Sequence, residues 1–174
     1  PEQITEAAQE ILASGDFGGI IHLAPTHLVG HEWKIGDSDT TGVVAIQGLF
    51  GLLKHFDSAY SQGGGILASL TALDGRHGNK GDRFNSLAAG ASGLIKAYSH
   101  ERENIRCRAY DIDPDMLLDE SELASRLVED LLGRGGEVEV GLDIDGRRWA
   151  LVLFDESLEQ TRDRLADDEV WLVS

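Results

Sequence analysis

Acidic side chains gather after two predicted strands, where they could form the paired carboxylates that acid–base catalysis uses. They are Asp74, Asp82, Asp111, Asp113 and Asp115. The alternation of Asp111, Asp113 and Asp115 also resembles a calcium-binding loop, but the Gly and Glu of such a loop are missing at the required offsets. The sequence therefore favours solvated loop acids at strand ends over a catalytic or calcium site.

A second group of polar residues could suggest a metal site. Its members lie within eleven residues of one another: His22, His27, His31 and Glu32. His27 and His31 are four residues apart, which on a helix would place both on one face. However, Pro25 and Gly30 make this segment a loop, and the His-Glu-x-x-His order is missing. We therefore expect a loop that lines an interface rather than a metal centre.

Two other patterns could indicate phosphate binding or nucleophilic catalysis. The segment 75–82 is rich in glycine and contains Lys80, but it lacks the Gly-Lys-Ser/Thr order of a phosphate loop. The serines at positions 69, 86 and 92 lack the glycine pattern of a nucleophile elbow. Neither phosphate binding nor serine hydrolysis is expected.

Composition limits the remaining classes of function. The 174 residues suffice for one domain with a core. Fifteen basic and thirty-one acidic residues give a net charge of -16, which argues against partners such as nucleic acid or an anionic membrane. The single cysteine, Cys107, excludes an internal disulfide, and its apolar-alternating run predicts a buried structural thiol.

The location of the protein is also predicted from what its sequence contains. No signal peptide and no apolar run near 18 residues is present, so we expect a cytoplasmic protein. The chain begins with Pro1 and its only methionine is Met116, which indicates an excised piece or a processed product.

Apolar periodicity predicts strands that alternate with helices. Helices are predicted at 2–14, 41–60, 84–101 and 119–132, and strands at 19–24, 66–70, 104–112, 138–142, 149–153 and 170–173. Asp119 is placed to cap the last helix, and Asp145-Gly146 is a hairpin turn signal. This order predicts an α/β fold: a truncated Rossmann-like parallel sheet with flanking helices and a C-terminal β-hairpin.

Residues 19–114 present these segments in an order that carries a family resemblance. The segment His-Leu-Ala-Pro at 22–25 is similar to an Asn-Asn-Ala-Gly strand, and 66–71 is similar to an Ile-Val-Asn-Ile-Ser-Ser strand. The strand at 105–111 is similar to one that reads Ile-Arg-Val-Asn. Together they resemble the second half of a short-chain dehydrogenase/reductase, and the resemblance places Thr71 near the active-site Ser.

The catalytic pair of that family is missing. Residues 84–96 have the layout of its Tyr-x-x-x-Lys helix, but Phe84 replaces the Tyr and Ala88 the Lys. A reductase needs the phenol as a proton donor and the ammonium to lower the pKa of that phenol. In addition, no Gly-x-x-x-Gly-x-Gly loop follows a predicted strand, so a dinucleotide pyrophosphate has no cradle. The chain therefore resembles the fold of this family without its catalytic residues and its nucleotide loop.

Three further segments resemble one branch more closely. Residues 93–101 read Gly-Leu-x-Lys-x-x-x-x-Glu, residues 107–113 read Cys-Arg-Ala-x-Asp-Ile-Asp, and residues 138–141 read Val-Glu-Val-Gly. This order is similar to the structural subdomain of ketoreductases in polyketide and polyunsaturated fatty acid synthases. The resemblance implies a degenerate Rossmann-like subdomain at 1–154, followed at 155–174 by a linker and the first strand of a catalytic half.

The same resemblance implies where function resides. It implies no catalytic, cofactor-binding or metal-binding residue in this chain, and it places NADPH in the adjoining catalytic half. The partners it implies are that half and the acyl carrier protein of the parent synthase. The apolar faces of the predicted helices at 41–60 and 84–101 are the candidate contact surfaces.

Two alternatives remain. A stand-alone divergent short-chain reductase or epimerase-like enzyme would have to use Thr71, Lys96 or Tyr98, although Lys96 lies twelve residues after Phe84, too far to replace the missing Lys. The other alternative is an interaction module with no enzymatic parent.

Overall fold

The computed structural model describes residues 2–15, 18–23, 40–81, 86–133 and 135–155. The helices are α1 (Glu2–Ala13), α2 (Thr41–Gly63), α3 (Gly90–Glu101) and α4 (Glu120–Leu132). The strands are β1 (Gly19–His22), β2 (Gly65–Thr71), β3 (Ile105–Ile112), β4 (Glu139–Leu142) and β5 (Arg148–Ala150). Short 3₁₀ turns at Ser86–Ala89 and Pro114–Leu118 precede α3 and α4.

The strands form one five-stranded sheet in the order β1-β2-β3-β4-β5. Strands β1 to β4 are parallel, and β5 runs antiparallel to β4. Helices α2, α3 and α4 connect successive parallel strands, as parallel pairing requires. The predicted α/β, Rossmann-like architecture with a C-terminal hairpin is confirmed.

Helices cover both faces of the sheet. One face packs against α1, α2 and α3, because α2 presents Leu49, Leu53, Phe56 and Tyr60 at helical spacing to the sheet. The opposite face packs against α4 through its Leu123 and Leu131. Strands β2 and β3 are apolar toward both helical layers, as expected for the centre of a parallel sheet.

Several boundaries differ from the predicted ones. Helix α2 continues to Gly63, because the chain turns only at Gly64, whose φ of 70° is left-handed and whose N–H bonds the carbonyl of Tyr60. Strand β1 ends at His22 rather than at residue 24. The cap on α4 is confirmed, since Asp119 Oδ1 accepts the backbone N–H of Glu122 at 3.0 Å.

The C-terminal hairpin is confirmed, but its second strand is shorter than predicted. Strand β5 pairs with β4 only as far as the Val140–Ala150 match. Residues 151–154 (Leu-Val-Leu-Phe) follow without a ladder partner in the described part of the chain, and their side chains are exposed. The strand predicted at 170–173 lies outside the described residues, so the division at residue 154 stays a prediction. No described helix is long and apolar enough to span a membrane.

Candidate functional site at the carboxyl edge of the sheet

The carboxyl ends of parallel strands are where open α/β sheets bind ligands. Four aspartates lie at or just after the carboxyl ends of β2, β3 and β4, and all four are buried: Asp74, Asp111, Asp113 and Asp143. The prediction of solvated loop acids is therefore wrong for three of its members, and Asp111 is 0% exposed. The prediction holds for Asp115, which is exposed, while Asp82 lies outside the described residues. We call the four buried aspartates the carboxylate clamp.

Asp74 organises the loop that follows β2. Its Oδ1 accepts the backbone N–H groups of Arg76 and Gly78, each at 2.8 Å, and its Oδ2 accepts that of Lys80 at 2.8 Å. Burial raises the pKa of Asp74, but the three backbone donors lower it by more, and the net shift is downward. The carboxylate is therefore held in its charged form by the loop that it folds.

Asp111 ties the same loop to β3. Its Oδ1 accepts the N–H of Leu73 and its Oδ2 accepts the N–H of His77, both at 2.7 Å. Burial, reinforced by the nearby charge of Asp74, raises the pKa of Asp111 to about 6 despite these donors. Asp111 is thus a structural acceptor whose charge is poorly solvated.

The remaining two aspartates hold the cationic side chains of the loop. Asp113 Oδ2 accepts from Lys80 Nζ at 3.2 Å, and its Oδ1 accepts the N–H of Asp115 at 3.1 Å. Asp143 accepts from the Trp149 indole at 2.9 Å and from the N–H of Arg147 at 2.9 Å.

Cation–π stacking adds to this arrangement. The guanidinium of Arg76 lies 4.0 Å from the ring centre of Trp149 and 3.7 Å from Asp143. The loop cations are therefore directed toward the clamp instead of toward an outside anion.

Backbone contact closes the loop against the sheet. Gly75 has a φ of 74°, and a Cβ there would lie 2.5 Å from the carbonyl oxygen of Leu142. A Cβ on Gly141 would collide with the carbonyl oxygen of Gly75. Both positions therefore need glycine, because the loop lies directly on β4 with no room for a side chain.

The chemistry that this arrangement allows follows from its hydrogen bonds. All eight carboxylate oxygens of the clamp accept at least one hydrogen bond from the chain itself. A general acid or base has to reach the reacting proton of a substrate. The clamp instead uses its acceptors to fold a loop, and it is built for structure rather than for proton transfer.

The position that resembles the active-site Ser is also closed. Thr71 is fully buried, and its Oγ1 donates to the carbonyl oxygen of Tyr110 at 3.0 Å. Ala88 is buried in the turn before α3, and Phe84 lies outside the described residues. Thr71 therefore has its hydroxyl proton engaged inside the fold.

The other residues that an enzyme would need to reuse point toward different neighbours. Lys96 Nζ pairs with Glu139 at 2.7 Å, on the side of β4. The Tyr98 hydroxyl donates to Asp57 at 2.9 Å, on the side of α2, and burial together with this bond raises the pKa of Tyr98 to about 12. The described structure therefore does not arrange these two side chains as an acid–base pair.

The thiol and metal predictions can be compared with the described residues. Cys107 is buried, as predicted, and burial raises the pKa of its thiol to about 11. His22 is partly buried, whereas His27, His31 and Glu32 lie outside the described residues. Within the described ranges, no group of three or more His, Cys, Asp or Glu could hold a metal ion.

Comparisons with known proteins give limited information. No protein-family model matches the sequence, and no curated protein matches it. An alcohol dehydrogenase from the archaeon Thermococcus sibiricus, complexed with 5-hydroxy-NADP, is similar with a TM-score of 0.48 and 17% identity over 64% of this chain. The chain spans about half of that dehydrogenase, of which 48% is covered. At this TM-score the likeness carries no functional information, and the fold assignment rests on the sheet topology.

Proposed function

We propose that this chain is a non-catalytic structural unit of an NADPH-dependent β-ketoacyl thioester reductase within a polyketide or polyunsaturated fatty acid synthase. The observation that carries the proposal is the carboxylate clamp, which fills the edge of the sheet where a reductase would bind its substrate. NADPH, hydride transfer and the proton donor then belong to a separate catalytic half.

The clamp supports this proposal through its energetics. Opening the edge to a substrate would separate Asp74 and Asp111 from the five N–H groups that they accept at 2.7–2.8 Å. Each buried donor or acceptor that loses its partner costs about 1–3 kcal/mol. A closed edge is therefore the stable state of this fold, and a closed edge suits a supporting role.

The surface proposed to contact the catalytic half is a groove between α2 and α3. It has a volume of about 300 Å³ and an apolar lining of Phe50, Leu53, Leu94 and Ala97. Phe50 is 54% exposed although other residues of α2 form the core. A helix that is apolar on both faces is typical of a helix buried between two layers. The α2–α3 groove is thus the part of this face that another protein surface would cover.

Polar groups at the rim of the α2–α3 groove would orient that contact. Asp57 and Arg102 form a two-bond ion pair at 2.8 Å, and Tyr98 donates to the same carboxylate. Such a bidentate pair fixes the direction of both side chains. In the parent synthase, the acyl carrier protein would deliver its thioester to the catalytic half and not to this chain.

The proposal is tested by measuring NADPH binding and β-ketoacyl thioester reduction. The assays use the chain alone and the chain extended through the coding sequence that follows Ser174. We expect no NADPH binding by the chain alone, and NADPH-dependent reduction only by the extended polypeptide. Micromolar binding of NADPH to the chain alone, or an inactive extended polypeptide that is folded, would contradict the proposal.

A further inference from the structure

Three backbone N–H groups of the loop after β2 converge on one carboxylate. They belong to Arg76, Gly78 and Lys80, and each nitrogen lies 2.8 Å from a carboxylate oxygen of Asp74. We call these three donors the amide nest. Backbone N–H groups that converge in this way form concave binding sites for anions. The amide nest therefore has the geometry of an anion site, and the anion that it holds belongs to the same chain.

The backbone conformation of the loop produces this convergence. Gly75, His77 and Gly78 have left-handed φ values of 74°, 57° and 81°. Left-handed residues placed among ordinary ones turn neighbouring N–H groups toward one side of the chain. His77 adopts this conformation although it carries a Cβ, which is uncommon for residues other than glycine. The orientation of the three donors is therefore a property of the loop backbone.

Contacts that do not involve the Asp74 carboxylate also hold the loop in place. Asp111 accepts the backbone N–H groups of Leu73 and His77, both at 2.7 Å. Gly75 lies directly on β4, where a Cβ would come within 2.5 Å of a carbonyl oxygen. These anchors remain when the side chain at position 74 is shortened, so the shape of the amide nest does not depend on its occupant alone.

The two cations of the loop pair with acids other than Asp74. The Arg76 guanidinium lies 3.7 Å from Asp143, and Lys80 Nζ lies 3.2 Å from Asp113. Both ion pairs remain when the charge at position 74 is removed, so the attraction for an anion comes from the backbone donors and not from an unpaired cation. An anion that enters the amide nest therefore restores the charge of the native loop.

We propose that the amide nest is a binding site for a small carboxylate, which the Asp74 side chain occupies in the native chain and thereby closes to other anions. Asp74 is 1% exposed, so the space that its carboxylate fills is enclosed and has the size of one carboxylate. A planar monoanion fits this space and can accept all three N–H groups. Phosphate is larger and carries more charge, which the neighbouring Asp111 carboxylate repels. Asp74 thus acts as an internal inhibitor of its own loop, and this role is independent of the proposed ketoreductase parent.

The test empties the amide nest and refills it from solution. Asp74→Ala removes the carboxylate and keeps the Cβ, so the vacated space fits formate. Asp74→Gly also removes the Cβ, so the space then fits acetate as well. Position 74 is not among the left-handed residues, and its backbone therefore accepts either substitution. Thermal unfolding of the whole chain is followed by circular dichroism in sodium formate, sodium acetate or sodium chloride at equal ionic strength.

The two variants should differ in the anion that stabilises them. Relative to chloride, formate at about 0.1 M should raise the Tm of Asp74→Ala by about 3–6 °C, which corresponds to a dissociation constant on the order of 10 mM. Acetate should raise the Tm of Asp74→Gly by a similar amount. It should raise that of Asp74→Ala by less than about 1 °C, because the Cβ occupies the space of the acetate methyl group. No rise in either variant, or an equal rise of both in acetate, would overturn the proposal.

Two proteins with a filled nest are the controls. Wild type keeps the Asp74 carboxylate, and Asp74→Asn fills the same space with an uncharged group of nearly equal size. Formate should shift the Tm of either protein by less than about 1 °C. A shift as large as that of Asp74→Ala would show that formate binds elsewhere, which contradicts the proposal.

The test also holds when the emptied variants are unfolded in chloride. In that case the recovery of the folded signal is measured as formate or acetate is added, and we expect Asp74→Ala to fold in formate and Asp74→Gly in either anion. Both variants remaining unfolded at about 0.5 M anion, while Asp74→Asn is folded, would refute the proposed site.

Discussion

The carboxylate clamp and the α2–α3 groove differ in the solvent exposure of their side chains. At the clamp, four charged side chains are buried and each of their oxygens accepts a hydrogen bond from the chain. In the groove, Phe50 remains exposed to solvent, beside a buried helical core. The carboxyl edge of the sheet is thus saturated with hydrogen bonds from the chain itself, whereas the α2–α3 groove keeps apolar surface exposed to solvent.

The difference indicates which measurement suits each of the two regions. The polar groups of the clamp are satisfied by a loop that closes over them, and closure stabilises the fold. Apolar groups on an exposed helix face contribute hydrophobic free energy only when a second surface removes them from water. Stability measurements should therefore be sensitive at the clamp, and association measurements should be sensitive at the groove.

The largest expected effect is the loss of the Asp111 carboxylate. Asp111→Ala leaves the N–H groups of Leu73 and His77 without their acceptor inside the fold, and we expect it to lower the free energy of unfolding by about 3–5 kcal/mol. Urea denaturation measures the change. The control, Asp115→Ala, removes an exposed acid and should stay within about 0.5 kcal/mol. A loss below about 1 kcal/mol for Asp111→Ala would mean that the clamp contributes little.

A glycine pair tests whether the loop really lies on β4. Gly75 and Gly81 both have left-handed φ values, 74° and 87°, but only at Gly75 would a Cβ meet backbone atoms among the described residues. Gly75→Ala should therefore cost about 2–4 kcal/mol, and Gly81→Ala about 1 kcal/mol from backbone strain alone. Thermal or urea unfolding of both variants checks the difference. Equal costs would show that close contact with Leu142 is not important.

The groove should respond to a different measurement. Phe50→Ser should lower the unfolding free energy of the isolated chain by about 1–2 kcal/mol, because about half of the side chain is already buried there. In the extended polypeptide the same change should cost about 1–3 kcal/mol more, because a partner surface would cover the exposed half of Phe50. Leu132→Ser, at an exposed position on the other face, is the control. An identical response in both polypeptides would argue against the groove as the contact.

The smallest expected effect is a pH dependence that belongs to Asp111. Its pKa is raised from 3.8 to about 6 by burial and by the charge of Asp74, so the folded state binds this proton more tightly than the unfolded state does. Its contribution to stability is fully present below the unfolded pKa and is lost as pH rises through about 6.

The measurement compares wild type with Asp111→Asn, which cannot titrate. The stability of wild type relative to the variant should decrease by an amount on the order of 1–2 kcal/mol as pH rises from about 4 to about 7. Asp74, whose pKa is lowered, has the opposite pH dependence but is present in both proteins. A difference that is flat, or that grows with pH, would show that the pKa of Asp111 is not raised in the fold.

The sequence predicted the fold better than it predicted the candidate site. Strand and helix order, the hairpin at Asp145-Gly146, the Asp119 cap and the buried thiol of Cys107 all follow from local patterns, and the structure confirms them. Local patterns suffice there, because periodicity and turn residues act over a few neighbouring positions.

The burial of the acids could not be inferred in the same way. Asp111 and Asp74 accept hydrogen bonds mainly from backbone N–H groups of a loop. Residue types do not indicate which backbone N–H groups will act as these donors. A partial signal is present in the sequence, since Asp111 lies at the end of an apolar strand and Asp74 lies shortly after another, and the ends of parallel strands meet at one edge. The shortened β5 is also a tertiary effect, because its ladder ends at the Val140–Ala150 pair and β4 extends only one residue further, to Glu139.

The four residues after β5 have a consequence for handling the protein. Leu151, Val152, Leu153 and Phe154 are 49–101% exposed, and alternation in an extended chain makes both of its sides apolar. Such a segment, next to a strand edge that no described strand covers, is a template for strand pairing between molecules. We therefore expect the isolated chain to aggregate through this segment at high concentration. A second protein surface that covers the segment would prevent this aggregation, as a dedicated chaperone would.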